Sequence, residues 1–325
     1  MYSAYFQMTR NPFEMSPDPY FFFPTAQHRE ALAGLIYGIS ARRGFLVLTG
    51  EVGTGKSLLV RCLLEQLDKR KVVYAYLFNS LLSSEQFLHY IAEDLGITNG
   101  PCSKNELLLR MSRYLIENHR KGLTTVAIID EAHHLDESVL EEVRLLTNLE
   151  TPQGKLLQIA LVGQPELDEK LESHQLRQLK QRITLRLHLG GFSPAETFRY
   201  VQSRLRLAGE SSGTLFTPGA LTMIHYFSSG IPRLINTLCD NSLIAAFAMG
   251  RRQVSVELVE EAAGDLRMRP ARRLSPAIPS ASPRPPLNAS ARSDRGTDPK
   301  AFQPQFRDGQ NETAVSCEAK REPHI

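Results

Sequence analysis

The sequence predicts an α/β fold on a parallel sheet, followed by an all-helical unit and a disordered tail. Three observations carry this. Up to about residue 190, short β-rich runs alternate with helical patterns, the arrangement of a parallel α/β sheet. From Ser193 the strand signal stops and only helical spacing continues. After about Met268 prolines recur among Ser, Ala, Arg and Asp, with almost no periodic apolar residues, so that segment cannot bury enough surface to offset its chain entropy.

The strand candidates are Phe45 to Thr49, Val72 to Phe78, Thr125 to Asp130, Gln158 to Val162 and Ile183 to Leu189. Between them Gly55 to Asp68, Ser84 to Leu95, Lys104 to His119 and Glu137 to Leu149 have helical spacing. The later helices are Pro194 to Leu207, Pro218 to Phe227, Pro232 to Met249 and Val256 to Arg267; proline suits the first helical turn, where its missing N–H costs nothing. The expected units are a nucleotide-binding unit over residues 1–190, a helical lid over 191–268 and a tail over 269–325.

Composition removes several function classes. A chain of 325 residues with 42% apolar residues can build a substantial core, so disorder throughout is excluded. Cys62, Cys102, Cys239 and Cys317 show neither CxxC pairs nor histidine spacing, which argues against a zinc site or a disulfide framework and suits a reducing cytoplasm. No apolar run approaches the roughly 20 residues that span a bilayer, and Met1 to Arg10 lacks the order of a signal peptide. Direct membrane insertion is therefore not expected. The net charge of +3 resides in the tail: residues 267–325 hold 11 Lys and Arg against 6 Asp and Glu.

The chemistry is concentrated in two motifs. Gly50-Glu51-Val52-Gly53-Thr54-Gly55-Lys56-Ser57 fits GxxxxGK[ST], follows the apolar run Phe45-Leu46-Val47-Leu48 and precedes a helical pattern beginning at Leu58. Glycines let backbone N–H groups turn toward anionic phosphates, and the positive end of the following helix points to the same place. Lys56 would reach the β- and γ-phosphates, while the Ser57 hydroxyl would ligate Mg²⁺. A P-loop NTPase core follows from this motif in this context.

The second motif is Val126-Ala127-Ile128-Ile129 ending in Asp130-Glu131, two carboxylates at the edge of a sheet where ligands of open α/β folds sit. Asp130 would hold the Mg²⁺ shell, and Glu131 would act as general base on the attacking water. Absence of an Asn-Lys-x-Asp sequence favours ATP over GTP. His133 and His134, adjacent in sequence, do not share a helical face, which argues against a metal pair.

Taken together, these residues resemble AAA+ ATPases of the general secretion pathway protein A (ExeA) type, including relatives associated with exosortase and pilus systems. The resemblance rests on Asn11-Pro12-Phe13, Pro17-Asp18-Pro19, His28-Arg29-Glu30-Ala31-Leu32, the phosphate loop, Ile129-Asp130-Glu131-Ala132-His133, Leu161-Val162-Gly163-Gln164-Pro165-Glu166-Leu167 and Gly230-Ile231-Pro232-Arg233. It implies a five-stranded AAA+ core with a helical lid, ATP between them, and a homo-oligomeric ring or partial ring. Gln164 looks like the polar sensor of the fourth strand, and Arg233 is similar to the lid arginine that contacts the terminal phosphates. Arg177 and Arg182 lie where such proteins place an arginine finger for a neighbouring subunit. Pro12-Phe13 and the helix around His28 resemble the segment over the adenine, whereas Phe21, Phe22 and Phe23 read as packing residues.

ExeA-type proteins often continue into a transmembrane helix and a peptidoglycan-binding domain, and neither is visible in this sequence. The expectation is a cytoplasmic ATPase, peripheral to the inner membrane through a partner protein of a secretion or envelope-export system. Two readings compete with it. An ATP-dependent DNA-binding factor resembling transposition regulators is disfavoured by the near-neutral core, since phosphate contacts need cationic surface. A nucleotide-gated scaffold would bind ATP with negligible phosphate release.

Overall fold

Successive side chains on a strand point to opposite faces, and the two faces of the central sheet are buried in two separate apolar clusters. The computed structural model describes residues 2–269 apart from 16, 17, 79, 80, 98, 99, 101, 153 and 211. The predicted tail, from residue 270 on, lies outside the described residues, as does Cys317.

The described residues form seven strands: β1 (Phe45–Gly50), β2 (Val72–Leu77), β3 (Thr124–Ile129), the two-residue strands β4 (Glu150–Thr151) and β5 (Gly154–Lys155), β6 (Leu157–Gly163) and β7 (Ile183–Leu189). Five form one sheet in the order β2-β3-β6-β1-β7, with every pair parallel, while β4 and β5 make a small antiparallel hairpin. The order places β1 and β3 on either side of β6. Both motif-bearing strand ends therefore lie at one edge, the edge where ligands of such sheets bind.

Phe45, Val47, Ala75, Leu77, Ala127, Ile129, Ile159 and Leu161 face one cluster, shared with the helices Ser84–Asp94, Lys104–Arg120 and Glu137–Leu146. Leu46, Leu48, Val126, Ile128, Ala160 and Val162 face the other, shared with Ala26–Ser40 and Lys56–Gln66. Parallel strands covered on both faces read as unbroken apolar runs, which is why β1 and β3 stand out in the sequence. The edge strand β7 alternates instead: Leu185 and Leu187 pack over Gly34 of the Ala26–Ser40 helix, while Thr184, Arg186 and His188 face outward.

Buried polar groups in the sheet are satisfied. Gln158, fully buried, accepts from the Gly44 N–H at 2.7 Å and donates to the Lys155 carbonyl at 3.1 Å. Asn118 donates to Thr125 Oγ1 at 3.2 Å.

After β7 the described residues form Pro194–Leu207, Pro218–Ser228, Pro232–Ala248 and Val256–Asp265. Proline opens the first three, and Ser193 caps the first through a reciprocal pair with Glu196. These helices share a third apolar cluster, which also takes in Tyr2, Phe6, Met8 and Phe13. The sequence reading grouped these four residues with the α/β unit; the structure packs them with the helices. Thr9 ties the segment down, its N–H and hydroxyl both donating to the Ala208 carbonyl at 2.7 and 3.0 Å.

Candidate functional site: a nucleotide cavity between sheet edge and lid

The phosphate loop is shaped by backbone conformations that side chains oppose. Gly53 and Gly55 have φ of +82° and +99°, in the left-handed region that glycine enters without penalty. Gly53 has no room for a Cβ, which would lie 2.5 Å from Arg233 Cβ, and one on Gly55 would crowd His28 Nε2 at 3.3 Å. Thr54 closes the loop by donating from Oγ1 to the Glu51 carbonyl at 2.8 Å. The Lys56–Gln66 helix begins where the loop ends, so its free N–H groups and positive dipole end face the loop.

Lys56 is almost completely buried, and its Nζ donates to the carbonyls of Gly50 at 2.7 Å and Glu51 at 2.9 Å. Burial pulls its pKa below the usual lysine value, against the opposing pull of Glu131 and Asp130. An ammonium in a poorly solvated site, beside the N–H groups at the start of the Lys56–Gln66 helix, is an anion site by its chemistry.

The paired carboxylates diverge at the end of β3. Asp130 is buried; one oxygen accepts from the Tyr76 hydroxyl at 3.0 Å and the other from the Glu131 N–H at 2.9 Å. The Tyr76 phenol is pushed well above its ordinary value, by burial first and by Asp130 second. Glu131 adopts the left-handed conformation at φ 52° and ψ 35°, opening the 3-10 turn Ala132–His134. A non-glycine residue held there carries strain of about 1–2 kcal/mol, a common mark of functional sites.

A cavity of about 350 Å³ joins these parts. Its wall contains Val52, Gly53, Thr54, Gly55, Lys56, Ser57 and Leu58, with Glu131, Gln164 and Arg233. Gly50 and Glu51 stand behind the loop as the acceptors for Lys56, and Asp130 stands behind Glu131. Arg177 and Arg182 are not in the wall; Arg177 is exposed, and Arg182 donates to Thr147 Oγ1 at 2.9 Å.

Gln164 follows β6 and precedes the short helix Pro165–Leu171, and it shares the cavity wall with Glu131. Arg233 sits in the first turn of Pro232–Ala248, and its backbone N–H donates to the Gly53 carbonyl at 3.3 Å. Gly230 (φ +74°) makes that turn possible by packing against the Phe192 backbone, where a Cβ would lie 2.0 Å from the carbonyl oxygen. Phe192 and Gly230 are further linked by an N–H donated to the Gly230 carbonyl at 2.8 Å.

The wall also contains His28, which the resemblance placed only within the segment over the adenine, and Arg204 and Asn236, which the sequence analysis does not single out. His28, only 3% exposed, bridges Thr25 and the phosphate loop: Nδ1 lies 2.8 Å from Thr25 Oγ1 and Nε2 3.1 Å from the Thr54 carbonyl. A carbonyl only accepts, so the proton sits on Nε2 and Thr25 donates to Nδ1. Burial lowers the His28 pKa, favouring this neutral ring. Arg204 and Asn236 form the other end, with Arg204 donating to the Tyr200 hydroxyl at 2.6 Å and that hydroxyl donating to Asn236 Oδ1 at 2.9 Å. Arg204 also lies 4.6 Å over the Phe21 ring. Its burial was readable in part, since Thr197, Tyr200, Val201, Arg204 and Leu205 fall on one helical face. Phe21, Phe22 and Phe23, read as packing residues, also line the cavity.

An aromatic end, a donor-lined loop with an ammonium, and hard oxygen donors from Ser57 and Asp130 match a nucleotide with a polyphosphate chain and its magnesium ion. The fold and the site define a P-loop ATPase of the AAA+ class, and residues 39–171 match the AAA domain family. The chain is 45% identical over 255 residues, 78% of its length, to general secretion pathway protein A of Aeromonas hydrophila, and is similar to it over that span. The alignment spans 46% of that protein, so the chain corresponds to about half of it.

Solved structures with the same fold include Cdc6p of Pyrobaculum aerophilum (20% identity, TM-score 0.57, covering 76% of this chain and 70% of that one). The Drosophila origin recognition complex bound to DNA is another, at 17% identity and TM-score 0.58, covering 80% and 67%. At such identities the likeness establishes the fold and transfers no DNA partner.

Proposed function

We propose that this chain binds MgATP in the cavity, hydrolyses it with Glu131 as general base, and passes the lid motion to a protein partner in a secretion or envelope-export system. The observation that carries the reading is the single cavity wall shared by Gly53–Leu58, Glu131, Gln164 and Arg233. The loop N–H groups and Lys56 hold the β- and γ-phosphates, and the aromatic end takes the adenine. Magnesium, when bound, neutralises charge between the β- and γ-phosphates; this chain offers it the Ser57 hydroxyl and the Asp130 carboxylate. Glu131 accepts the proton of the attacking water, while Gln164 orients that water and reads the γ-phosphate.

Arg233 gives the nucleotide a hold on the lid. A ligand shifts a conformational equilibrium only through differential affinity for the two states, and an arginine that reaches the γ-phosphate from the lid supplies such a difference. Lid closure with ATP and release after hydrolysis follow from it. The functional division runs near residue 190, between the α/β unit and the lid.

The assembly is a homo-oligomer in which Arg177 or Arg182 reaches a neighbouring subunit's nucleotide, in keeping with their position outside their own cavity. The unpaired Cys62, Cys102 and Cys239 suit a reducing cytoplasm. The secretion assignment rests on the likeness to general secretion pathway protein A. Among the described residues no helix is long and apolar enough to cross a membrane, and attachment at the inner membrane runs through the partner.

The test is Glu131→Gln, which keeps the shape and removes the base. The variant should bind ATP as the parent does, release phosphate at least about a hundredfold more slowly, and retain its partner in an ATP-dependent pull-down. Phosphate release at the parental rate would remove the base; retention of duplex DNA in place of a protein would replace the partner assignment.

A further inference from the structure

His133 stands between the two groups assigned to the attacking water, yet the chemistry above gives it no role. The left-handed backbone at Glu131 throws the Ala132–His134 turn back toward the end of β6. Gly163 permits the approach, since a Cβ there would lie 3.2 Å from the His133 N–H nitrogen. The His133 ring is thereby inserted between Glu131 and Gln164. Its Nε2 lies 2.8 Å from Gln164 Nε2, and its Nδ1 lies 3.4 Å from Glu131 Oε2.

These contacts determine the proton's position. The Gln164 amide nitrogen only donates, so His133 Nε2 accepts and the ring proton sits on Nδ1, beside a carboxylate that only accepts. The Gln164 main-chain N–H also lies 3.5 Å from Nδ1; at that length it is the weaker contact and does not reverse the assignment. The imidazole thus takes the Gln164 amide on one side and packs against the Glu131 carboxylate at 3.4 Å on the other. The turn is itself anchored, because Lys170 Nζ donates to the carbonyls of His133 at 2.8 Å and Leu135 at 2.7 Å.

We propose that His133 is a positioning residue that locks the Glu131 carboxylate and the Gln164 amide into one unit, so that base and sensor meet the attacking water in a fixed mutual geometry. The inference rests on the assignment of Glu131 as base and deepens it. A carboxylate on a strained turn swings freely about its side-chain torsions unless something restrains it. A neighbouring ring held at its far side is such a restraint. Misplacement of a catalytic group by about 1 Å costs on the order of a hundredfold in rate, so loss of the restraint acts on turnover and leaves ATP affinity alone. The anchoring His133 carbonyl is main chain and survives substitution of the ring.

The experiment compares the full chain with His133→Ala, His133→Asn, Gln164→Ala, His133→Ala/Gln164→Ala and Glu131→Gln. Steady-state ATP turnover, affinity for a fluorescent ATP analogue and melting temperature are measured on each. Expected are a fall in kcat of about tenfold or more in His133→Ala, analogue affinity within about twofold, an unchanged melting temperature, and a double variant no slower than the slower single one, as for residues that act as a unit. The asparagine, whose amide can still donate toward Glu131, should recover part of the rate. Turnover of His133→Ala within about twofold of the parent, multiplicative loss in the double variant, or a loss that tracks affinity or melting temperature would each overturn the proposal. Glu131→Gln separates the two levels: if it hydrolyses normally the base assignment itself fails, whereas a dead Glu131→Gln beside a normal His133→Ala overturns only the inference.

Discussion

The backbone N–H of Arg233 donates to the carbonyl of Gly53 at 3.3 Å, fastening the first turn of a lid helix to the tip of the phosphate loop. The two residues touch so closely that Gly53 cannot carry a side chain. Lid and loop are thus one mechanical contact, and whatever moves the loop is felt by the helix that carries Arg233.

Gly53→Ala tests that contact. The substitution adds the cost of a left-handed alanine, about 1–2 kcal/mol, to a Cβ 2.5 Å from Arg233 Cβ. ATP affinity should fall about tenfold or more, since each 1.4 kcal/mol is one decade. Titration with a fluorescent ATP analogue reads it, and an unchanged dissociation constant would show that lid and loop are not coupled there.

Arg233→Ala separates the side chain from the backbone contact. Arg233 is exposed, so its removal should change folding stability by no more than about 0.5 kcal/mol. Turnover should nevertheless fall, and the preference for ATP over ADP should shrink, because the proposed mechanism makes the arginine the lid's hold on the γ-phosphate. Calorimetry with both nucleotides checks this; an unchanged ratio of affinities would place the arginine outside the phosphate site.

Gly230→Ala strikes the hinge of the same turn. With φ at +74° and a Cβ 2.0 Å from the Phe192 carbonyl oxygen, the native backbone cannot be kept. A destabilisation of more than about 2 kcal/mol is expected, read as a lowered urea midpoint. A midpoint equal to the parent's would mean that the lid tolerates another path.

The buried His28 predicts a pH effect. Burial lowers its pKa in the folded chain, with the Thr54 hydrogen bond and Glu196 opposing. The unfolded chain therefore binds the proton more readily, and stability rises with pH in this range. The contribution is fully present above the unfolded value near 6.5 and is lost as pH falls through the folded value, at up to about 1.4 kcal/mol per pH unit. Urea midpoints between pH 7.5 and 5.5 should fall, and His28→Gln should flatten the slope; an equal slope in the variant would assign the effect to His133 and His225, whose pKa values burial also lowers.

The parts of this fold legible from sequence are those dictated by local chemistry. Strands β1, β3 and β6 are apolar runs because both sheet faces are covered, and proline with a capping side chain announces helices such as Pro194–Leu207. The expected strand ends at Phe78 and Asp130 run one residue too far, since the ladder stops at Leu77 and Ile129. Elements too short to show a period, such as Pro165–Leu171 and the hairpin of β4 and β5, left no readable pattern.

The site divides in the same way. Gly50 to Ser57, Asp130 and Glu131 are contiguous motifs whose spacing is their signal. His28 meets Thr54 across 26 positions, His133 meets Gln164 across 31, and Tyr2 packs with a helix more than 200 residues away; such pairings exist only once the chain is folded. The adjacent pair His133 and His134 drew attention as a metal question, whereas the structure turns one of them toward Glu131 and Gln164.

The most direct test is calorimetric titration of the folded full chain with ATP in the presence of magnesium, set beside Lys56→Ala. Removal of the one ammonium that lies in the loop should abolish measurable binding, while circular dichroism shows the fold retained; the parent should bind one ATP per chain. A parent that takes up no ATP, or a Lys56→Ala protein that binds as the parent does, would contradict the assignment of this cavity as a nucleotide site.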